Sequence, residues 1–233
     1  MTPMVSLRSL AQACKPPASI TQTAVTRHLL AFAALTFWVS WFLMPDPGTT
    51  DARHILAIVK GARTSVLGSV LVQITSTVAY LAALFLLVRV CRPQSITMAG
   101  IVLFGIGVMG LCADAFFHLL AYEMTSASVV VDDNVVRVMH LMQTEGVVVL
   151  LPILLPFFIG SLVLAIGLGR QAAISWNPAY VFAAAFVVGI VGTVIATFVV
   201  GYQGRAVTLA ALGLFAVGHA MIGQELAASE RPA

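Results

Sequence analysis

Long apolar stretches alternate with short polar segments along the whole chain. A bilayer core about 30 Å thick needs roughly 20 mostly apolar residues for each helix that crosses it, and the stretches are of about that length. We therefore predict an all-α integral membrane protein, a bundle of six transmembrane helices. The predicted spans are residues 28–44, 65–90, 95–122, 145–168, 179–201 and 206–223.

The polar segments between the spans divide into breaks and short helices. The run from Pro45 to Gly48 ends the first span, because proline cannot donate a helical hydrogen bond and restricts the residue before it. Residues 51–63 and 133–144 begin with acidic side chains, which suit a helix N-terminus. They are predicted to be helices that lead into the second and fourth spans.

Composition supports the membrane interpretation. Hydrophobic residues make up 60% of the chain and charged residues 9%, whereas soluble domains are about half apolar and about a quarter charged. The net charge of +3 comes from basic residues at the ends of apolar runs, so the predicted partner is the lipid bilayer and not nucleic acid. The predicted organisation is a polar cytoplasmic tail (1–27), a six-helix membrane domain (28–223) and a cytoplasmic C-terminal tail (224–233).

Charged residues at the ends of the spans predict the orientation. With both termini in the cytoplasm, seven of the twelve basic residues lie inside and five outside. Six of the nine acidic residues fall in the first and third connections, which this orientation places outside. We therefore predict an N-in, C-in multi-pass protein of the bacterial cytoplasmic (inner) membrane.

Asp114 and His118 are ionisable side chains within the third predicted span. Ionisable groups are costly in hydrocarbon and usually face the interior of a helix bundle, so each is a candidate functional residue. His118 lies one helical turn after Asp114, and Tyr122 lies two turns after it. Gly107 and Gly110 precede Asp114 on the same face. This face is predicted to pack against protein, with close helix contact at the glycines.

Two other spans carry polar residues at a similar depth. Ser65, Ser69, Gln73 and Thr77 follow one another at four-residue steps in the second span, and the helical rise brings Gln73 level with Asp114. Thr193 lies near that level in the fifth span. Together with Tyr122, these residues predict a polar pocket that faces outward.

Histidine and acidic side chains near the fourth span suggest a metal site. His140 and Glu145 stand at its outer start and can approach His118 if the third and fourth spans are antiparallel neighbours. Asp114, His118 and His140, with Glu145 as a further ligand, would supply a carboxylate and imidazole set that suits zinc, iron or copper. One transition-metal ion is therefore a candidate cofactor.

The order of three of these residues resembles a known copper site. An Asp-x-x-x-His on one span followed by a histidine before the next resembles the arrangement in the C subunit of membrane-bound methane and ammonia monooxygenases. The resemblance implies that Asp114, His118 and His140 are copper ligands, and it covers these three residues only. A weaker resemblance links the chain to seven-span membrane hydrolases related to alkaline ceramidase, but their terminal H-x-x-x-H and seventh span are missing. Membership of neither family is inferred.

His219 lies too far along the sixth span to join an outward-facing site. About 20 Å of helix separate it from the outer start of that span, so it is predicted to lie near the inner surface, with His28 as its neighbour. Both are interpreted as interfacial histidines.

These features predict a small binding, accessory or transport-related module with no catalytic residue assigned. Its pocket would contain Gln73, Asp114, His118 and His140. The alternative is a membrane metalloprotein, a redox or hydrolytic subunit, that uses Asp114, His118 and His140 as ligands. We also expect the protein to bind a second copy of itself or a partner membrane subunit.

Overall fold

The computed structural model describes residues 20–46, 49–200 and 205–228, and this part of the chain is helical without strands. A π-helical segment, Met142–Gly146, joins the fifth α-helix to the sixth. The α-helices are α1 (Ile20–Leu43), α2 (Ala52–Gly61), α3 (Arg63–Cys91), α4 (Ser95–Met124), α5 (Asp133–Leu141), α6 (Val147–Arg170), α7 (Asn177–Val200) and α8 (Arg205–Ala228).

Six helical stretches in the described residues are long and apolar enough to cross a membrane. They are α1, α3, α4, the continuous stretch from α5 through α6, α7 and α8, and each predicted span falls on one of them. Two ends differ from the prediction, because α1 begins at Ile20 and α8 continues to Ala228. Residues 1–19 and 229–233 of the predicted tails lie outside the described residues.

The two predicted connecting helices are confirmed as α2 and α5. Asp51 caps α2 by accepting a hydrogen bond from the His54 backbone N–H at 2.9 Å. Asp132 caps α5 by accepting from the backbone N–H groups of Asn134 and Val135, each at 3.0 Å. The bond from Val135, reinforced by Asn134, lowers the pKa of the Asp132 carboxyl below its usual value. Since α2 and α5 contact each other at one end of the bundle, we call this pair of helices the cap.

The six long helices follow a simple order around the bundle. Around the bundle the helices follow the order α6, α4, α3, α1, α8 and α7, and each helix packs on the next. The α6–α7 contact that closes the ring is the sparsest of the six. The cap lies at the end where α1 ends and α3, α6 and α8 begin.

Glycines allow α4 and α6 to pack backbone to backbone. A Cβ added at Gly107 would lie 1.9 Å from the Phe157 backbone nitrogen, and one at Gly160 would lie 2.3 Å from that of Phe104. Gly110 makes a similar close approach to the carbonyl of Ile153. The predicted helix contact at Gly107 and Gly110 is therefore confirmed, and it makes α6 the neighbour of α4.

Hydroxyl groups join α3 to α1. Ser69 donates to the backbone carbonyl of Ser40 at 2.7 Å, and Ser76 donates to that of Ala33 at 2.6 Å. The polar face predicted for the second span thus packs partly on the main chain of α1. Gln73 lies between these two serines and turns to α4 instead.

Candidate functional site

Asp114 is held in the interior by Gln73. The Asp114 side chain projects from α4 towards α3, and the residue is 7% exposed. Gln73 Nε2 donates to Asp114 Oδ2 at 2.8 Å and to the backbone carbonyl of Leu111 at 3.1 Å. A single carboxamide therefore uses both of its N–H groups to fix the position of the carboxylate relative to the backbone of α4.

His118 lies one turn along α4 from Asp114. Its Nε2 is 3.6 Å from Asp114 Oδ2, which is close enough for electrostatic attraction but long for a hydrogen bond. The His118 side chain is 26% exposed, in contrast to the buried carboxylate. Trp41 of α1 packs edge-on against its imidazole, with ring centroids 6.2 Å apart.

Asp114 and His118 line a cavity of about 340 Å³ at the cap end of the bundle. Its walls are mainly apolar and come from the end of α1, from α2, α4, the α5–α6 stretch and the start of α8. Apolar side chains in the wall include Met44, Ile55, Phe117, Met139, Val147, Leu150 and Leu209. Asp114 is thus a carboxylate in a largely apolar enclosure.

The cap covers this cavity. Ile58 and Val59 of α2 and Met139 of α5 face it, and a small core of apolar side chains joins the two cap helices to α3 and α4. On the exposed surface of the cap, Arg53 pairs with Asp133 at 2.6 Å, bridging α2 and α5. Both of these side chains are mainly exposed, so the ion pair contributes little to stability.

A second charged region lies on the cavity wall at the ends of α1 and α8. The Arg205 backbone N–H donates to Asp46 Oδ2 at 3.0 Å. The Arg205 guanidinium donates to the Phe42 carbonyl and lies 5.1 Å from the centre of the Phe42 ring. Asp46 and Arg205 are thus oppositely charged neighbours, whereas the Asp114 carboxylate lies beside the neutral Gln73 carboxamide and the His118 imidazole.

A π-helical turn directly precedes α6 at the cap end of the bundle. Met142 and Gln143, within this turn, line the cavity. A Cβ added at Gly146 would lie 2.7 Å from the Phe117 ring, so the glycine makes room for a side chain of the opposite wall. π-Helical turns inside α-helices are frequent at functional sites, and this one borders the cavity that contains Asp114.

The structure does not bring the predicted metal ligands together. Asp114 and His118 are adjacent, but His140 and Glu145 are exposed and lie outside the cavity wall. Across the described residues, no three histidine, cysteine, aspartate or glutamate side chains form a group that could hold a metal ion. The α5 helix turns Met139 inward, which directs the next residue, His140, to the surface.

Two further predicted pocket residues have other contacts. The central carbon of the Arg63 guanidinium lies 3.8 Å from the centre of the Tyr122 ring. The same guanidinium donates a hydrogen bond to the backbone carbonyl of Tyr122. The Thr193 hydroxyl donates to the Gly189 carbonyl of its own helix. Neither side chain lines the cavity. Gln73 does not line it either, but it donates a hydrogen bond to Asp114 of the cavity wall.

His219 occupies the centre of the bundle, so its interpretation as an interfacial histidine is wrong. It is fully buried, and four aromatic rings surround it with centroids 5.0 to 5.8 Å away: Tyr80, Phe104, Phe157 and Phe182. Its Nδ1 is 2.8 Å from the Phe215 carbonyl, which can only accept, so Nδ1 carries a proton. Its Nε2 lies 3.1 Å from the Ser161 hydroxyl.

Comparison with known protein families, with characterised proteins and with solved structures finds no match to this chain.

Proposed function

We propose that the protein is an integral membrane protein that binds a small cationic amphiphile in a cavity facing the outside of the bacterial cytoplasmic membrane. It acts as a binding, accessory or transport-related module, and the Asp114 carboxylate anchors the cationic group of the ligand. The observation that carries the proposal is the position of Asp114, a buried carboxylate in the wall of a largely apolar cavity.

The size and the chemistry of the cavity support an organic ligand. Its volume of about 340 Å³ falls in the range of small-molecule pockets, which are mostly apolar with a few fixed polar groups. A charge buried in a medium of low polarity interacts strongly with an opposite charge, because little water screens it. An ammonium group with an apolar body therefore matches both Asp114 and the wall around it.

Gln73 and His118 support Asp114 in this role. Gln73 fixes the carboxylate at 2.8 Å, so its orientation is set before a ligand arrives. His118 is partly exposed and stands 3.6 Å from the same oxygen, so it lies on the side from which a ligand approaches. Both residues therefore lie against the same oxygen of the carboxylate, Gln73 within hydrogen-bond distance and His118 slightly farther away.

Binding of matched small probes tests the proposal. Phenethylamine and phenethyl alcohol share an aromatic body, and only the first is a cation at neutral pH. We expect the purified protein in lipid nanodiscs to bind the amine more tightly in titration calorimetry, and Asp114→Asn to weaken amine binding about tenfold or more. Glu123→Gln is the matched control, because it removes an exposed carboxylate from the same helix. Equal binding of amine and alcohol by the unmodified protein would exclude the proposed role.

The proposed orientation has a separate test. In a chain without native cysteines, Ala127→Cys lies in the exposed α4–α5 connection and Gln94→Cys in the exposed α3–α4 connection. An N-in, C-in protein should react with a membrane-impermeant maleimide in spheroplasts at position 127 only, and at position 94 only after the membrane is permeabilised. The reverse pattern would overturn the orientation and turn the cavity towards the cytoplasm.

A further inference from the structure

The helices α6 and α8 meet in the middle of the bundle and separate towards the cap. In the middle, the rings of Phe158 and Phe215 pack with their centroids 4.9 Å apart. Leu151 and Thr208 lie two helical turns nearer the cap, on the same sides of these helices. There Leu151 is 46% exposed and Thr208 lines the cavity. The cap-side parts of α6 and α8 therefore lie on either side of a gap.

The neighbours α6 and α7 also separate towards the cap. Both helices have buried side chains in the part away from the cap, among them Phe157 of α6 and Phe182 of α7. Nearer the cap, residues 147–156 of α6 and 186–196 of α7 include no buried residue. This pattern agrees with the sparse packing between the two helices. Since both segments are almost entirely apolar, they border the gap with side chains that suit lipid.

Val147 belongs both to the cavity wall and to the outer face of α6. It lines the cavity and is 41% exposed, and its neighbours Val148 and Val149 are exposed as well. The cavity wall is therefore also the surface of the bundle at this point. Asp114 is a charged group of the same cavity, so a path past apolar side chains leads from the lipid to the carboxylate.

We infer that the ligand is a linear alkylammonium amphiphile that enters the cavity sideways from the bilayer, with its ammonium group at Asp114 and its hydrocarbon chain in the gap between α6 and α8. The inference rests on the proposed function, because it keeps Asp114 as the anchor of the cation. It adds the chemistry of the ligand body, a flexible chain, and the route of entry.

The surroundings of the gap favour a hydrocarbon chain. A chain that leaves the cavity between α6 and α8 stays in apolar surroundings along its whole length, and only the ammonium group needs a polar partner. The cavity of about 340 Å³ then limits the size of the head region but not the length of the chain. Because each CH₂ group also favours the membrane over water, such a ligand is concentrated in the bilayer that borders the gap.

A bulky side chain in the gap tests the inference. Dodecylamine and phenethylamine are both cations at neutral pH, and only dodecylamine has a long chain. Binding to the protein in nanodiscs is measured as the part that Asp114→Asn removes, which excludes partition into lipid. Leu151→Trp places a large ring in the gap and should weaken dodecylamine binding about tenfold, but phenethylamine binding by about twofold or less.

Val149→Trp is the matched control for this substitution. It adds the same ring to the same helix at an exposed position, and two residues of a helix differ by about 200°, so the ring points away from the gap. It should change the binding of either amine by about twofold or less.

Cross-linking of the unmodified protein locates the chain directly. Dodecylamine with a diazirine at the end of its chain is irradiated in nanodiscs with and without excess phenethylamine, and labelled peptides are identified by mass spectrometry. Label that phenethylamine removes should lie on residues 147–158 of α6 or 186–196 of α7.

Four results would overturn the inference. They are no Asp114-dependent binding of dodecylamine, equal weakening of both amines by Leu151→Trp, no effect of Leu151→Trp on either amine, and phenethylamine-sensitive label that is absent from both α6 and α7. In each case Asp114-dependent binding of phenethylamine would leave the proposed function intact. If neither amine showed Asp114-dependent binding, the proposed function would fail as well.

Discussion

The Asp114 carboxylate of α4 and the Gln73 carboxamide of α3 meet at 2.8 Å in the interior of the bundle. This contact joins two helices through a pair of buried polar groups, and the second N–H of Gln73 binds the Leu111 carbonyl. Each side chain therefore supplies a hydrogen bond to the other in the interior. The same contact fixes the carboxylate of the candidate site, so stability and the proposed function are linked at this position.

Substitution of Asp114 should separate the loss of charge from the loss of a hydrogen bond. Asp114→Asn keeps an oxygen that accepts from Gln73, whereas Asp114→Leu leaves a Gln73 N–H without a partner. We expect the leucine variant to be less stable than the asparagine variant by about 1–3 kcal/mol, measured by thermal unfolding in detergent. Adding Gln73→Leu to Asp114→Leu should recover part of the difference. Equal melting temperatures for the two single variants would contradict the observed pairing.

The glycine contact between α4 and α6 predicts that two neighbouring glycines respond differently to alanine. Gly107→Ala places a methyl group 1.9 Å from the Phe157 backbone, so the helices must separate, and we expect a loss of about 1–3 kcal/mol or more. In Gly105→Ala the new methyl group meets only a Leu84 side-chain carbon at 3.8 Å. That variant should unfold within about 1 kcal/mol of the unmodified protein. A similar loss at both positions would mean that α4 and α6 do not pack through Gly107.

Several features of the fold and the site were predictable because they depend on distance along a helix. Apolar length predicted six spans, and helical rise placed Gln73 level with Asp114. The direction in which a side chain points was harder to predict. His140 and Met139 are neighbours in the sequence, yet one is exposed and the other buried, because successive residues of a helix differ by about 100°.

The position of His219 was predicted wrongly because the end of the last helix was placed too early. The prediction ended the sixth span at residue 223, whereas α8 continues to Ala228 and so moves His219 away from the end of the helix. Its neighbour Tyr80 lies on the same polar face of α3 as Gln73, two turns further along. Extending that face by two turns would have revealed a second polar position deep in the bundle.

Replacement of the buried histidine should destabilise the bundle. His219→Leu removes the hydrogen bond to the Phe215 carbonyl and one of the two partners of the Ser161 hydroxyl, and it breaks the aromatic contacts around the imidazole. We expect a loss of about 1–3 kcal/mol in thermal unfolding. His140→Leu, at an exposed position, is the control and should change stability by about 0.5 kcal/mol or less. If both substitutions had the same small effect, the hydrogen bond and ring contacts of His219 would contribute no net stability.

The cap of the cavity should loosen in acid through Asp132. The backbone N–H of Val135, with help from Asn134, lowers the pKa of the Asp132 carboxyl below its usual value of 3.8. A carboxyl whose pKa is lower in the folded state stabilises the fold at pH values above its unfolded pKa, and this contribution is lost as pH falls through the folded pKa. We expect the Val135 amide to become less protected from hydrogen exchange, after correction for the intrinsic rate, as pH falls below about 3.8.

Asp132→Asn should remove this pH dependence, because its amide oxygen still caps α5 without titrating. Asp133→Asn, which removes the neighbouring carboxylate paired with Arg53, should retain it. If Asp132→Asn kept the acid-dependent loss of protection, another titrating group would control the stability of the α5 N-terminus.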